Sequence, residues 1–350
     1  MDQRMKALLL SRYKHLEIVD LPEPVPGPGE VLVRVAACGI CGSDIHGYDG
    51  STGRRIPPIV MGHEAAGTVC AWGEGVTGFA NDDRVTFDST VYCGSCTPCL
   101  RGEVNLCEHR QVLGVSCTDY RRPGAFAEYV AVPSRAVHRL PDNLSFEEAA
   151  MLEPLSVALH AVSLGPVQAG DTALVVGAGM IGLLLVQVLS TAGCSRIFAA
   201  DLDQSRLDLA RTVGATDVIA AGSDPVEAVL EHTGGTGVDV AMEAVGRTET
   251  VQASIDSVRK GGTVVLVGNV APEVALPLQK VVTRQIRLQG SCASAGEYPR
   301  AIELLASGAL QVRSLITAVA PLDHGPRWFA RLYAREPHLM KVILTPGERT

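Results

Sequence analysis

The sequence predicts a mixed α/β chain in two parts, a β-rich part with barrel-like character and a doubly wound parallel sheet. Two observations carry the prediction. Up to about Ser145 the chain runs in short alternating apolar segments broken by Gly and Pro, the texture of an irregular, twisted β domain. Beyond it, six apolar runs of strand length (TALVVGAG, RIFAAD, DVIAA, VDVAMEAVG, GTVVLVG, IRLQGS) alternate with helical stretches, which is how parallel sheets are strung together. A chain of 350 residues is long enough for two full cores.

Taken in order, KALLLSRYKHLEIVDLP reads as a hairpin, and PEPVPGPGE as a connector that proline keeps out of helix. EVLVRVAACGI, EAAGTVCAWGEGVTGF, DDRVTFDS and GAFAEYVAVPSRAVHRLP continue the β pattern. SFEEAAMLEPLSVALHAVSL then has helical spacing, with Ser145 and Glu148 as a capping box. Near the end, EYPRAIELLASG reads as a helix and MKVILTP as an apolar segment, both returning to the first part. The expected division is residues 1–154 plus 294–350 for the β-rich domain and 155–293 for the parallel sheet.

Composition narrows the function classes. Hydrophobic residues at 47% and charged residues at 19% describe a globular chain. A net charge of −8 lacks the clustered cations that nucleic acid requires. No apolar run reaches membrane-spanning length and no signal-like segment opens the sequence, so a cytoplasmic protein is expected. Ten cysteines in such a chain point to reduced thiols and metal ligands before disulfides.

Four of them, Cys93, Cys96, Cys99 and Cys107, fall within CGSCTPCLRGEVNLC. That spacing lets four sulfurs close around one tetrahedral zinc with no open position, a structural clip rather than a reaction centre. Two disulfides or four ordinary thiols are the competing readings.

In VVGAGMIG, Gly177, Gly179 and Gly182 form GxGxxG between a strand and a helix. The glycines permit a tight turn, close approach to a pyrophosphate and helix–strand packing, and the helix start supplies N–H donors. The next strand ends in Asp201, nineteen residues after Gly182, where a carboxylate accepts ribose hydroxyls and repels a 2′-phosphate. The expected dinucleotide is therefore NAD, with Arg206 flanking the adenine or ribose.

Cys41 in CGICGSDIHGYDG, His63 and Glu64 in MGHEAAGTV, and Glu153 in LEPLSVALHA are donor types suited to a catalytic zinc. Their separation in sequence does not show that they converge, and a buried Cys and a hydrogen-bonded core His would serve as well. GHExxGxV with Cys41 upstream, the four-cysteine loop and the later GxGxxG together make the chain resemble the zinc-dependent medium-chain dehydrogenases, over essentially its full length. CGSDIH, GHE and EPLSVALHA resemble the sorbitol and polyol dehydrogenase branch, with threonine and butanediol dehydrogenases nearby.

The resemblance implies a dinucleotide-binding Rossmann domain beside a GroES-like catalytic domain, and two zinc ions per chain. It makes Cys41 and His63 ligands, with Glu64 and Glu153 sharing the remaining role, one ligating and the other exchanging with it or holding a water. It gives Ser43 the proton-relay hydroxyl, His46 the onward transfer to solvent and Tyr48 a place in the pocket wall. Ile181, Val267, Gly268, Asn269, Ser291, Cys292 and Ala293 are the further implied cofactor contacts. The implied activity is transfer of hydride from a secondary alcohol of a polyol to NAD, in a homotetramer with neither nucleic acid nor membrane as partner. The sorbitol enzymes hold their polyol with an Arg–Tyr pair where this chain has Ala293 and Ser294, which leaves smaller diols, sugar-alcohol phosphates and threonine open. For threonine, Asp44 or Asp49 would have to meet the ammonium, although solvated loop carboxylates are the expected state of both. A non-catalytic nucleotide-binding protein is the alternative from another class.

Overall fold

The computed structural model describes residues 3–347. These fall into two compact units. One runs through Glu153 and adds Tyr298–Ser307 and the chain from Val312 onward; the other comprises Pro154–Glu297 and Gly308–Gln311.

The first unit is built on the strand Glu30–Gly39, whose Val, Leu and Ala side chains are buried on both faces. It pairs antiparallel with Glu64–Trp72, Tyr129–Pro133 and Lys341–Thr345. Arg84–Phe87 and Val137–Arg139 extend this sheet on one side and Ile316–Pro321 on the other. The hairpin Arg4–Arg12 and His15–Pro22 forms where the sequence predicts it and adds the short strand Ile59–Val60. Leu8, Leu10, Phe87, Phe126 and Phe329 sit in one core with the sheet's valines.

Register decides which polar residues meet. Gly39 lies opposite Glu64 in one pairing and opposite Ile343 in another. Ile40 N–H then donates to the Val342 carbonyl at 2.9 Å, so the same ladder brings Lys341 beside Cys41. Three segments distant in sequence thus deliver their ends to one corner of the sheet.

The second unit is a six-stranded parallel sheet in the order Asp217–Ile219, Arg196–Ala200, Thr172–Val176, Val238–Glu243, Val258–Leu266, Arg287–Gly290. The six strands are those read from the sequence, and the order reverses between Thr172–Val176 and Val238–Glu243, the switch point where such sheets bind nucleotides. The helix Met180–Thr191 packs Leu183, Leu184, Leu185 and Leu189 fully into the interior. The predicted capping box forms, with Glu148 N–H donating to Ser145 Oγ at 3.2 Å and Ser145 N–H to Glu148 Oε2 at 3.1 Å. The helical stretch it opens is two helices, Phe146–Ala149 and Leu152–Leu164, the second with Pro154 in its first turn, where a missing N–H costs nothing.

Candidate metal and nucleotide sites

The four-cysteine loop folds around the short helix Thr97–Leu100. Cys93 and Cys99 Sγ lie 4.0 Å apart and Cys96 and Cys107 Sγ 3.8 Å apart. A disulfide needs about 2.05 Å between sulfurs. A tetrahedron with metal–sulfur arms of about 2.3 Å has edges of about 3.8 Å. The spacing therefore fits a zinc ion and rejects the disulfide reading. Backbone N–H groups of Ser95 and Cys96 point at Cys93 Sγ at 3.4 and 3.3 Å, and those of Cys93 and His109 at Cys107 Sγ at 3.3 and 3.4 Å. The Ser95 and Cys96 donors pull the Cys93 thiol down to about 5, while burial pushes the Cys99 thiol up to about 12, so the loop stabilises one thiolate ahead of any ion.

At the sheet corner, one donor atom each from Cys41, His63 and Glu64 lies within 4.8 Å of the others. His63 and Glu64 are buried and Cys41 is half-buried. Soft sulfur, imidazole and carboxylate in one cluster suit zinc. Glu64 Oε2 accepts from Lys341 Nζ at 2.6 Å, whereas its buried Oε1 has no hydrogen-bond partner among the described residues. An orphaned carboxylate oxygen inside a cluster of metal donors is the mark of an oxygen kept for an ion. The residues fit the metal. Burial pushes the Glu153 carboxyl up to about 7, against the pull of His63. Glu153 feels the charges of Glu64 and Lys341, but it stands outside the set of three that share the 4.8 Å cluster.

Asp44 corrects an expectation. Read as a solvated loop carboxylate, it is fully buried at the start of the helix Gly42–Tyr48. Its Oδ2 accepts the Cys41 N–H at 3.2 Å, and its Oδ1 accepts from Arg55 Nη2 at 3.0 Å and faces His63 Nδ1 at 3.4 Å. Burial alone would raise its pKa; the charges of His63 and Arg55 outweigh that and hold it at about 2. His63 thus turns Nδ1 to Asp44, and Ser43 Oγ lies 3.4 Å from its Nε2.

Ser43 and His46 are both exposed; the hydrogen bonds of Ser43 Oγ are with His63 and Arg55, not with His46. Tyr48 donates its hydroxyl to the Lys14 carbonyl at 2.7 Å and packs its ring on Phe329 and Tyr333. Asp49 accepts the Tyr333 hydroxyl at 2.9 Å.

In the second unit Gly177 adopts φ +96°, and a Cβ on Gly182 would come within 1.7 Å of the Gly177 carbonyl oxygen. Only glycine fits there, because the helix beginning at Met180 starts hard against the turn. Asp201, at the end of its strand, accepts the Ala178 N–H at 2.7 Å and the Asp203 N–H at 2.9 Å. Arg206 Nη1 stands 3.9 Å from Asp201, and Ile181 is half-buried in the helix's first turn. Val267 and Gly268 donate their N–H groups to the Glu243 carbonyl, and the fully buried Glu243 carboxylate in turn binds the Val245 and Gly246 N–H groups. Ser291, Cys292 and Ala293 follow the last strand, with Ala293 in the left-handed region at φ 52°. These segments, with Asn269, all follow the carboxyl ends of parallel strands.

Sequence reading missed Arg55, Lys341 and Glu243. Lys341 carried a usable signal, since one cation in the apolar run MKVILTP demands a buried partner.

The alcohol dehydrogenase GroES-like domain family matches residues 27–142, and the zinc-binding dehydrogenase family matches residues 181–307. Sorbitol dehydrogenase of Bacillus subtilis is 36% identical across 99% of this chain and 98% of its own length. The chain belongs to the zinc-binding dehydrogenase family. Among solved structures of the family, a zinc-binding dehydrogenase from Sinorhizobium meliloti bound to NADP is 34% identical and superimposes with a TM-score of 0.90 over 98% of this chain and all of that one. 2R,3R-butanediol dehydrogenase from Bacillus subtilis is 32% identical with a TM-score of 0.89, again over 98% and 100%.

Proposed function

We propose that this protein is a zinc-containing dehydrogenase that removes hydride from a secondary alcohol of a polyol or small diol and delivers it to NAD. The observation that carries the reading is the cluster of Cys41, His63 and Glu64, with an unpartnered Glu64 oxygen, beside the Ser43 hydroxyl. Zinc held by these side chains supplies Lewis acidity that makes an alcohol easier to deprotonate. The chain's own residues do the rest. Ser43 receives the alcohol proton and, being exposed, passes it outward, with His46 on the same helix as the next carrier. Lys341 holds Glu64 oriented in a buried position. In the second unit the glycine turn takes the pyrophosphate and Asp201 takes the ribose. A carboxylate that already accepts two N–H groups is fixed where a 2′-phosphate would be repelled, which supports NAD even though one solved relative holds NADP.

The polyol reading is favoured over a threonine-type one. Asp44 is committed to Arg55 and Asp49 to Tyr333, so neither is free to receive an ammonium. Glu153 serves as the partner that exchanges with Glu64 or steadies a water. The homotetramer implied by the resemblance and the cytoplasmic location expected from composition belong to this proposal; among the described residues no helix is long and apolar enough to cross a membrane.

Metal analysis tests the reading. Two zinc ions per chain, one of them lost in Cys41→Ser, is the expected result. A single ion that survives that substitution would leave a clipped, non-catalytic scaffold.

A further inference from the structure

We propose that Arg55 is a positioning residue that holds the relay serine and the metal ligands in working geometry. The inference rests on the reading of Cys41 and His63 as zinc ligands. Arg55 is 5% exposed, an unusual state for a guanidinium. Its place is built: a Cβ on Gly47 would fall 2.1 Å from Arg55 Cγ, so the helix Gly42–Tyr48 leaves a gap through which the side chain passes. Nη2 donates to Asp44 Oδ1 at 3.0 Å and to Ser43 Oγ at 3.3 Å, Nε reaches the same Asp44 oxygen at 3.4 Å, and Nη1 donates to the Arg54 carbonyl at 3.1 Å. Asp44 in turn accepts the Cys41 N–H and faces His63. One side chain therefore reaches Ser43 directly and Cys41 and His63 through a single carboxylate.

Two consequences follow from donor chemistry. Arginine has only donors, so the Ser43 lone pair facing it is occupied. With His63 engaged by zinc rather than by Ser43, the Ser43 hydroxyl keeps one lone pair for the alcohol proton and sends its own hydrogen away from Arg55, which gives the relay a direction. Arg55 also balances the buried Asp44 charge, so that Asp44 orients the His63 ring and the Cys41 backbone. Outer partners of metal ligands of this kind typically contribute about ten- to hundredfold in metal affinity or activity.

The test compares the zinc-loaded parent with Arg55→Met, Arg55→Lys and the double variant Asp44→Asn/Arg55→Met. Three quantities are read: zinc retained per chain against a chelator, the cobalt(II)–thiolate absorption of the Cys41 site, and kcat with KM for NAD. The double variant buries no unpaired carboxylate and keeps the test open where Arg55→Met fails to fold. The expected result is a folded chain in which the four-cysteine zinc stays and the other is released about ten- to hundredfold more readily. The cobalt spectrum changes and kcat falls, while KM for NAD is unchanged. Arg55→Lys restores zinc retention but not kcat, because one ammonium does not span Asp44 and Ser43 as a planar fork does. Parent-like zinc retention, cobalt spectrum and kcat in Arg55→Met, or in the double variant, would overturn the proposal. A parent that itself binds only one zinc would instead overturn the functional reading on which it rests.

Discussion

Lys341 Nζ lies 2.6 Å from Glu64 Oε2, and the two side chains are 3% and 1% exposed. Lys341 also donates to the Ile40 carbonyl at 3.2 Å. A cation from the end of the chain is thus bonded to a carboxylate 277 residues earlier, behind one wall of the candidate metal cluster. Neither charge has water to turn to, so each depends on the other.

Lys341→Met is therefore expected to cost about 3–5 kcal/mol, the usual penalty for stranding a buried charge. Glu64→Gln combined with Lys341→Met recovers a large part of it. Urea midpoints of the metal-free proteins check this; a single variant as stable as the parent would mean that the pair does not bear on stability.

The two cysteine sites separate under substitution. Cys41→Ser is expected to abolish turnover with little change in Tm, since Cys41 lies in the catalytic cluster. Cys96→Ser opens the clip around Thr97–Leu100, lowering Tm while the folded fraction keeps its activity. The reverse assignment of effects would show that the roles of the sites have been exchanged.

Glu153 predicts a pH dependence whose sign can be worked out. Its carboxyl is pushed up from 4.5 to about 7 in the folded chain. The folded state then holds this proton where the unfolded chain has released it. In the chelator-treated protein the Glu153 contribution to stability accordingly falls as pH rises from 4.5 towards about 7 and levels off above. Glu153→Gln removes that component. Denaturation midpoints followed across this range should diverge between the two proteins; parallel curves would show that the Glu153 carboxyl is not displaced.

Asp201→Ala is expected to relax the preference for NAD over NADP and to raise KM for NAD, because the variant loses both the ribose acceptor and the tie to the Ala178 N–H. Steady-state kcat/KM with each dinucleotide measures it. An unchanged ratio would place cofactor discrimination elsewhere, Arg206 being the nearest candidate.

What the sequence made legible was what it encodes locally. The four cysteines fall within one loop, and the GxGxxG turn with its following strand is one continuous unit, so local spacing points to the chemistry; the 3.8–4.0 Å sulfur separations then set the disulfide reading aside. The six parallel strands declared themselves because each is an apolar run of strand length. Asp44, Arg55 and Lys341 stayed hidden for a shared reason. Each is polar, and in a single chain a polar residue in CGSD, GRRIPP or MKVIL reads as exposed unless its partner is known. The partners lie eleven residues away for Asp44 and Arg55 and 277 for Glu64 and Lys341, and strand register, not spacing, brings the latter pair together. Glu243 was missed differently: its partners are backbone N–H groups, which no side-chain pattern announces.

The most direct test of the functional account is NADH formation by the zinc-loaded protein across polyols, 2,3-butanediol, sugar-alcohol phosphates and threonine, with NADP run in parallel. Turnover on a polyol or diol is expected, with NAD strongly preferred and activity lost in Cys41→Ser. Silence across the panel with two zinc ions bound, or turnover that survives Cys41→Ser, would contradict it.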